Sequence, residues 1–390
     1  MMSGTDLVGT ATVAAIGSFT ASVLIVLTQG WHGKHSLDKD VAGVQKFHKI
    51  PVPRIGGIAV LIGILIAAIF PMSSQTFSAE GEWAGLFMLV LSGMPAFLAG
   101  IIEDVTKKVS VKARLIATFS SALLACWLLG AYLPRLDMWG VDALLHASPL
   151  AAILITAVAV GGVANSINII DGFNGIAGSA VGIMLAALGF VSWNAGDAFV
   201  TYLAVLGVGA TIGFLFMNYP TGRLFLGDGG AYFMGFWLAE VAVLLVIRNP
   251  EINTWQVLAV CAYPVIEVLY SMYRRKIIRK TSPGAPDRLH LHTLFYRRVV
   301  CQLLPRNDEK PWIRNAAVAC ITATWIAAIA LLAVMLGDTV PSALAVIGVN
   351  LVCYIAIYTR LVRGHWCLNP VVALGFLRSR PARPAIRELP

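Results

Sequence analysis

Eleven runs of mostly apolar residues, separated by short polar breaks, organise the chain. They fall at about 7–28, 55–71, 84–102, 112–133, 149–165, 174–193, 198–217, 230–248, 255–273, 315–336 and 342–360, most close to the roughly 20 residues that carry a helix across about 30 Å of hydrocarbon. The pattern predicts an all-α, polytopic integral membrane protein with about eleven transmembrane helices. The run at 198–217 is the least regular, being glycine-rich and ending in Asn218-Tyr219-Pro220, yet the alternation of charge between loops requires it. Met1 to Asp6 carries no basic residue, so the first run reads as a retained helix rather than a cleaved signal.

Composition agrees with the pattern. Hydrophobic residues make up 58% of the 390 and charged residues 13%, which excludes an ordinary soluble domain. The net charge of +9 would suit nucleic acid if it formed a patch, but the basic residues follow the membrane instead. Of 29 Lys and Arg, all but Arg135 and Arg248 fall in alternate connections and in the tail from Arg360. By the excess of basic residues on the cytoplasmic side, the N-terminus is expected outside and the C-terminus in the cytoplasm. The six cysteines are scattered and show neither a disulfide framework nor metal-ligand spacing. Residues 1–365 read as one membrane-embedded domain with an active face built from loops 29–54, 103–112, 165–174, 218–229 and 274–314; residues 366–390, rich in Arg and Pro, read as a disordered cytoplasmic tail.

Unusual polar residues gather in those five loops. Lys46, His48, Lys49 and Arg54 surround Pro51, Pro53 and Gly56-Gly57: either a phosphate-neutralising segment or an ordinary basic loop on lipid head groups. Glu103-Asp104 ends an apolar run just before four basic residues, as a functional pair or as solvated interfacial acids. Asn165, Asn168 and Asp171 are spaced three apart, so a helix through them presents two amides and a carboxylate on one face. That face offers oxygen ligands to a hard cation and hydrogen bonds to a base or sugar, and Asn174 follows it. Asp228 sits among Gly227, Gly229 and Gly230, where free backbone N–H groups could cradle phosphate; the plain alternative is a helix cap. Arg288, His290 and His292 occupy the last basic loop, where phosphate binding or acid–base work suits better than zinc, because no third soft ligand stands nearby. Glu267, near the inner end of its run, is placed to support the site, and Glu240 has no evident partner.

Together these segments resemble the polyprenyl-phosphate N-acetylhexosamine-1-phosphate transferase family, which includes phospho-MurNAc-pentapeptide translocase. The resemblance rests on K-x-x-P-x-P-R-x-G-G from Lys49 to Gly57, N-x-x-N-x-x-D-G-x-x-G from Asn165 to Gly175, and F-x-G-D-x-G from Phe225 to Gly230. It implies transfer of an N-acetylhexosamine 1-phosphate from a UDP-sugar to polyprenyl (undecaprenyl) phosphate, with release of UMP. It also implies dependence on Mg²⁺, with Mn²⁺ as a substitute. On that basis Asp228 and Asn168 are expected to hold the metal. The catalytic set is expected to be Glu103, Asp104, Asp171, His290 and His292, with the acidic pair handling the lipid phosphate. Lys46, His48, Lys49, Arg54, Asn165, Asn174 and Arg288 are expected to contact substrate. Three positions depart from the family's pattern: Glu103 replaces an Asp, Asn174 stands where many members have Asp, and Thr293 where another His is common. The resemblance further implies a bacterial inner membrane, partners limited to UDP-sugar and lipid with no nucleic acid, and compatibility with a homo-oligomer. The donor is expected to be a plain or modified N-acetylhexosamine rather than the pentapeptide donor. The rival reading is a secondary transporter, which places its carboxylates at mid-membrane and shows related halves; a lipid-binding scaffold is the third.

Overall fold

The computed structural model describes residues 4–38, 51–69, 80–281, 287–305, 307, 309–310 and 312–364. In chain order the helices are α1 (Gly4–Leu27), α2 (Gln29–Ser36), α3 (Gly56–Ile69), α4 (Glu80–Thr106), α5 (Val111–Leu129), α6 (Val141–Ala147), α7 (Pro149–Ile170) and α8 (Ile176–Asn194). They continue as α9 (Ala198–Asn218), α10 (Gly227–Arg248), α11 (Thr254–Val260), α12 (Ala262–Tyr273), α13 (Leu291–Phe295), α14 (Cys301–Leu303), α15 (Trp312–Leu336) and α16 (Val340–Arg363). Two short strands, β1 (Leu37–Asp38) and β2 (Val52–Pro53), pair antiparallel.

Each of the eleven apolar runs appears as helix, though not each as a simple span. Nine helices among the described residues are long and apolar enough to cross a membrane, and the chain is a multi-pass membrane protein. The run at 55–71 is described as only the 14 residues of α3. The run expected as one helix at 255–273 is instead two, α11 and α12, bent by 79°. Pro264 supplies the reason: it has no N–H to give and its ring crowds the carbonyl four residues back, Val260, where α11 stops. Beyond the bend, α12 runs on through a π-helical turn, Arg274–Ile278. The least regular run became α9, which is among the most buried helices.

α10 is the hub. It packs on α3, α4, α7, α8 and α9, and from Gly227 to Val246 it is nearly all buried. A hub inside a membrane must offer small residues so that neighbouring backbones can approach. At its N-terminal end the fit is extreme: a Cβ on Gly57 would lie 2.3 Å from the Cα of Gly230, and one on Gly100 would lie 2.4 Å from the Cα of Gly229. α3 and α4 therefore clamp the first turn of α10 from two sides. The segment before α3 is fastened to the segment before α10 by backbone bonds: Phe225 N to Pro53 O, Gly56 N to Phe225 O and Gly57 N to Leu226 O, each 2.9 Å.

At the other end of α10, polar side chains tie the connecting loops together. Arg135 bonds Asp137 at 2.5 Å and reaches the carbonyls of Pro250 and Ile252, both at 2.8 Å. Asp137 accepts from Thr254 N, and Asp197 accepts from Arg248, Asn249 and Val200 N.

Candidate active site

The glycine clamp brings the ends of α4 and α7 and the starts of α5 and α10 to one place, beside β2 and the loop before α13. There a polar cavity of about 510 Å³ opens, lined by residues that include Asp38, Arg54, Arg114, Asn165, Asn168, Asp171, Asn174, Asp228, Arg275, Asp287, His290 and His292.

Asp228 is the centre of charge. α7 stays helical through Ile170, so Asn165 and Asn168 share a face and Asp171 caps it, as their spacing required. Asn168 Nδ2 donates to Asp228 Oδ1 at 3.1 Å. Arg54 reaches the same oxygen at 3.3 Å, and Arg114 grips Asp228 Oδ2. Arg54 also lies 3.6 Å from Asp104 and 3.8 Å from Asp38. Burial works against its guanidinium, but Asp104, Asp228, Asp38 and Asp171 hold its pKa above the usual value. Burial pushes the Asp171 carboxyl up to about 7, with Arg54 opposing and Asp228 and Asp104 adding to the rise.

The phosphate cradle expected at Gly227 to Gly230 is already occupied. The N–H groups of Asp228 and Gly229 both donate to the Asp104 carboxylate at 3.0 Å. These are unpaired donors of a helix N-terminus, and a buried carboxylate satisfies both them and the helix dipole. Asp104 is therefore the brace that seats α10, and it presents no open face to the cavity. Its neighbour Glu103 accepts from Val109 N at 2.8 Å, closing the turn after α4, and is not among the lining residues. Arg288 is exposed and also off the cavity wall. Asn174 is on it, donating to Pro220 O at 3.3 Å, while Asn165 is anchored to Thr118 and to Gly161 O. Lys46, His48 and Lys49 lie outside the described residues.

The two histidines form the far wall. Their rings stack with centroids 5.4 Å apart and planes 10° apart. Burial and the neighbouring His290 lower the His292 pKa to about 4, so His292 is neutral near pH 7. Asp287 is bound by Arg274, Ser271 and Leu289 N; burial opposes these contacts, but they win and bring it down to about 2. Arg114, Asp38, Arg275 and Asp287 were not foreseen as site residues. Basic residues at helix ends read as topology signals, and nothing local in the sequence separates Arg114 from the lysines beside it.

Fold and cavity together define a membrane-embedded protein whose polar pocket, walled by carboxylates, amides and guanidiniums, suits phosphorylated ligands. The description "Glycosyl transferase family 4" belongs to the family whose sequence model matches residues 86–246, from α4 through α10. A probable undecaprenyl-phosphate N-acetylglucosaminyl 1-phosphate transferase of Bacillus subtilis is 24% identical over 64% of this chain and 66% of its own length. An undecaprenyl-phosphate alpha-N-acetylglucosaminyl 1-phosphate transferase of Thermotoga maritima is 26% identical over 73% of this chain and 80% of its own. A phospho-N-acetylmuramoyl-pentapeptide-transferase of Bartonella quintana is 31% identical over 50% of this chain and 60% of its own. Over these stretches the chain is similar to glycosyl transferase family 4 proteins, in line with the resemblance of its three motifs.

Proposed function

We propose that this protein transfers an N-acetylhexosamine 1-phosphate from a UDP-sugar to a polyprenyl phosphate and releases UMP, starting a lipid-linked envelope glycan. The observation that carries the reading is Asp228, held at the head of the cavity with Asn168, Arg54 and Arg114 around it. The names of the relatives from Bacillus subtilis and Thermotoga maritima support the same reaction. By the distribution of Lys and Arg, the cavity faces the cytoplasm of a bacterial inner membrane, and residues 1–365 act as one transferase unit.

The donor set fits a hard divalent cation. The cavity wall carries four aspartates, Asp38, Asp171, Asp228 and Asp287, against three arginines, Arg54, Arg114 and Arg275. A pyrophosphate and a lipid phosphate entering such a wall meet a deficit of positive charge, which a cation and the basic first loop make good. No group of three His, Cys, Asp or Glu in metal-holding geometry occurs among the described residues. That suits Mg²⁺, which typically takes one or two carboxylates and completes its shell with water and phosphate oxygens. Asp228 and Asn168 would hold it, and it would supply neutralisation of the pyrophosphate charge.

The chain's own residues do the rest. Arg54 and Arg114 bind phosphate oxygens and keep them in line with the acceptor. Asp171, with a pKa near 7, takes the last proton of the lipid phosphate, whose second ionisation lies lower, at about 6. Asp104 holds α10, and so Asp228, in register. The acceptor phosphate attacks the phosphorus bearing the sugar, and UMP leaves. Incubating the purified protein with UDP-N-acetylglucosamine, undecaprenyl phosphate and Mg²⁺ tests this: UMP and a lipid-linked sugar phosphate should form together and require both metal and Asp228. Absence of both products across a panel of UDP-N-acetylhexosamines overturns it.

A further inference from the structure

One buried acid beneath the cavity is not used by the mechanism above. Glu267 lies in α12, fully enclosed, three residues after the proline that bends the α11–α12 pair. Its Oε1 is 2.9 Å from His290 Nδ1 and 3.1 Å from Leu291 N, and its Oε2 is 3.3 Å from Leu291 N. An ionised carboxylate can only accept, so the proton of that bond belongs to His290 Nδ1. The other ring nitrogen, Nε2, is 3.8 Å from Asp287, beyond hydrogen-bond reach, and Asp287 is taken up by Arg274, Ser271 and Leu289 N.

The contact continues toward the cavity. His290 stacks on His292, which meets Phe173 edge-on at 5.8 Å. A Cβ on Gly172 would lie only 2.7 Å from His292 Nε2, so the ring presses on the backbone that carries Asp171. Resting on the proposed transferase reaction, we propose that Glu267 is the positioning residue of the histidine pair. It fixes a proton on His290 Nδ1, leaves Nε2 as the ring nitrogen available to a ligand, and through the stacked rings sets His292 against Asp171.

A capping role alone is the competing account, since Glu267 also accepts from the first N–H of α13. Glu267→Gln separates the two, because the amide oxygen still accepts from Leu291 N and His290 while the negative charge beside the ring is gone. The groups facing this pair are His292, Asp287, Arg274, Tyr263, Tyr354 and Tyr358, and all remain in the variant.

The test combines kinetics with nitrogen spectroscopy of ¹⁵N-histidine-labelled protein, the His290 signal being assigned by its loss in His290→Gln. In wild type the signal should report a proton on Nδ1. In Glu267→Gln the limb of the kcat profile that this pair controls should move down by about one pH unit or more, with kcat reduced about tenfold and KM for the UDP-sugar within about threefold. Glu267→Asp should restore the wild-type limb in part. A wild-type His290 protonated on Nε2 alone overturns the proposal even if no variant folds. So does Glu267→Gln with a wild-type pH profile, or a loss confined to the amount of folded protein. The spectrum needs no turnover, so failure of the transferase reading would appear separately, as a wild-type protein that makes no UMP.

Discussion

The two ends of α10 use the same residue types to opposite purpose. At its C-terminal end Arg135 spends its guanidinium on Asp137 and on backbone carbonyls, and Asp197 is filled by Arg248, Asn249 and a helix N-terminal N–H. Those charges close loops. At its N-terminal end Arg54 and Arg114 meet Asp228 on the wall of an open cavity, Arg114 Nε has no hydrogen-bond partner among the described residues, and Asp171 sits deep enough for its pKa to rise to about 7. An arginine–aspartate pair therefore says little by itself; what distinguishes a site from a clasp is whether polar capacity remains after folding, next to space for a ligand.

The sharpest way to break the contrast is Asp228→Asn. It keeps the shape and removes the charge that Arg54 and Arg114 share and that the proposed cation would need, so UMP release should fall by about 1,000-fold while the thermal midpoint in detergent barely moves. An equal change at the clasp, Asp137→Asn, should do the reverse, with per-molecule turnover retained.

Acid provides the next largest effect. His292 is neutral in the fold, with its pKa lowered from an ordinary value near 6.5 to about 4, so the unfolded chain binds the extra proton and the folded chain does not. The stability this represents is complete above about pH 6.5 and is lost as pH falls toward 4, up to roughly 3 kcal/mol at about 1.4 per pH unit. Denaturant or thermal melts from pH 7 to 4.5 should show this loss in wild type and a shallower one in His292→Gln.

Gly57→Ala comes third. The added methyl meets the Gly230 backbone, which cannot rotate away, and should cost about 2 kcal/mol. Because the same contact seats Asp228, activity per folded molecule should drop as well, which melts combined with UMP assays will separate. The smallest effect belongs to Arg135→Met, about 1 kcal/mol of stability with kcat unchanged, since its partners sit near the surface and can turn to water.

Much of this was legible in the sequence. The apolar runs gave the helices because membrane burial leaves a signal about 20 residues long, and the three-residue spacing of Asn165, Asn168 and Asp171 gave a shared face because α7 continues through Ile170. The bend after Val260 was not foreseen, since a proline near a helix start is as compatible with continuation as with a break. That Asp104 fills the N–H groups of Asp228 and Gly229 was not legible between the cradle and helix-cap readings, because Asp104 stands more than a hundred residues earlier. Arg114 was hidden among basic residues that mark topology, and the pairing of Glu267 with His290 depends on a fold that local pattern does not encode. Glu240 in α10 has no hydrogen-bond partner among the described residues, and nothing there explains it.

The central claim is that phosphorus travels with the sugar. UDP-N-acetylglucosamine labelled with ³²P at the β-phosphate, given to the protein with undecaprenyl phosphate and Mg²⁺, should deliver the label to the lipid fraction and leave the released UMP unlabelled. Label retained in a released UDP, with unlabelled phosphorus in the lipid product, would make the reaction a plain glycosyl transfer and contradict the account.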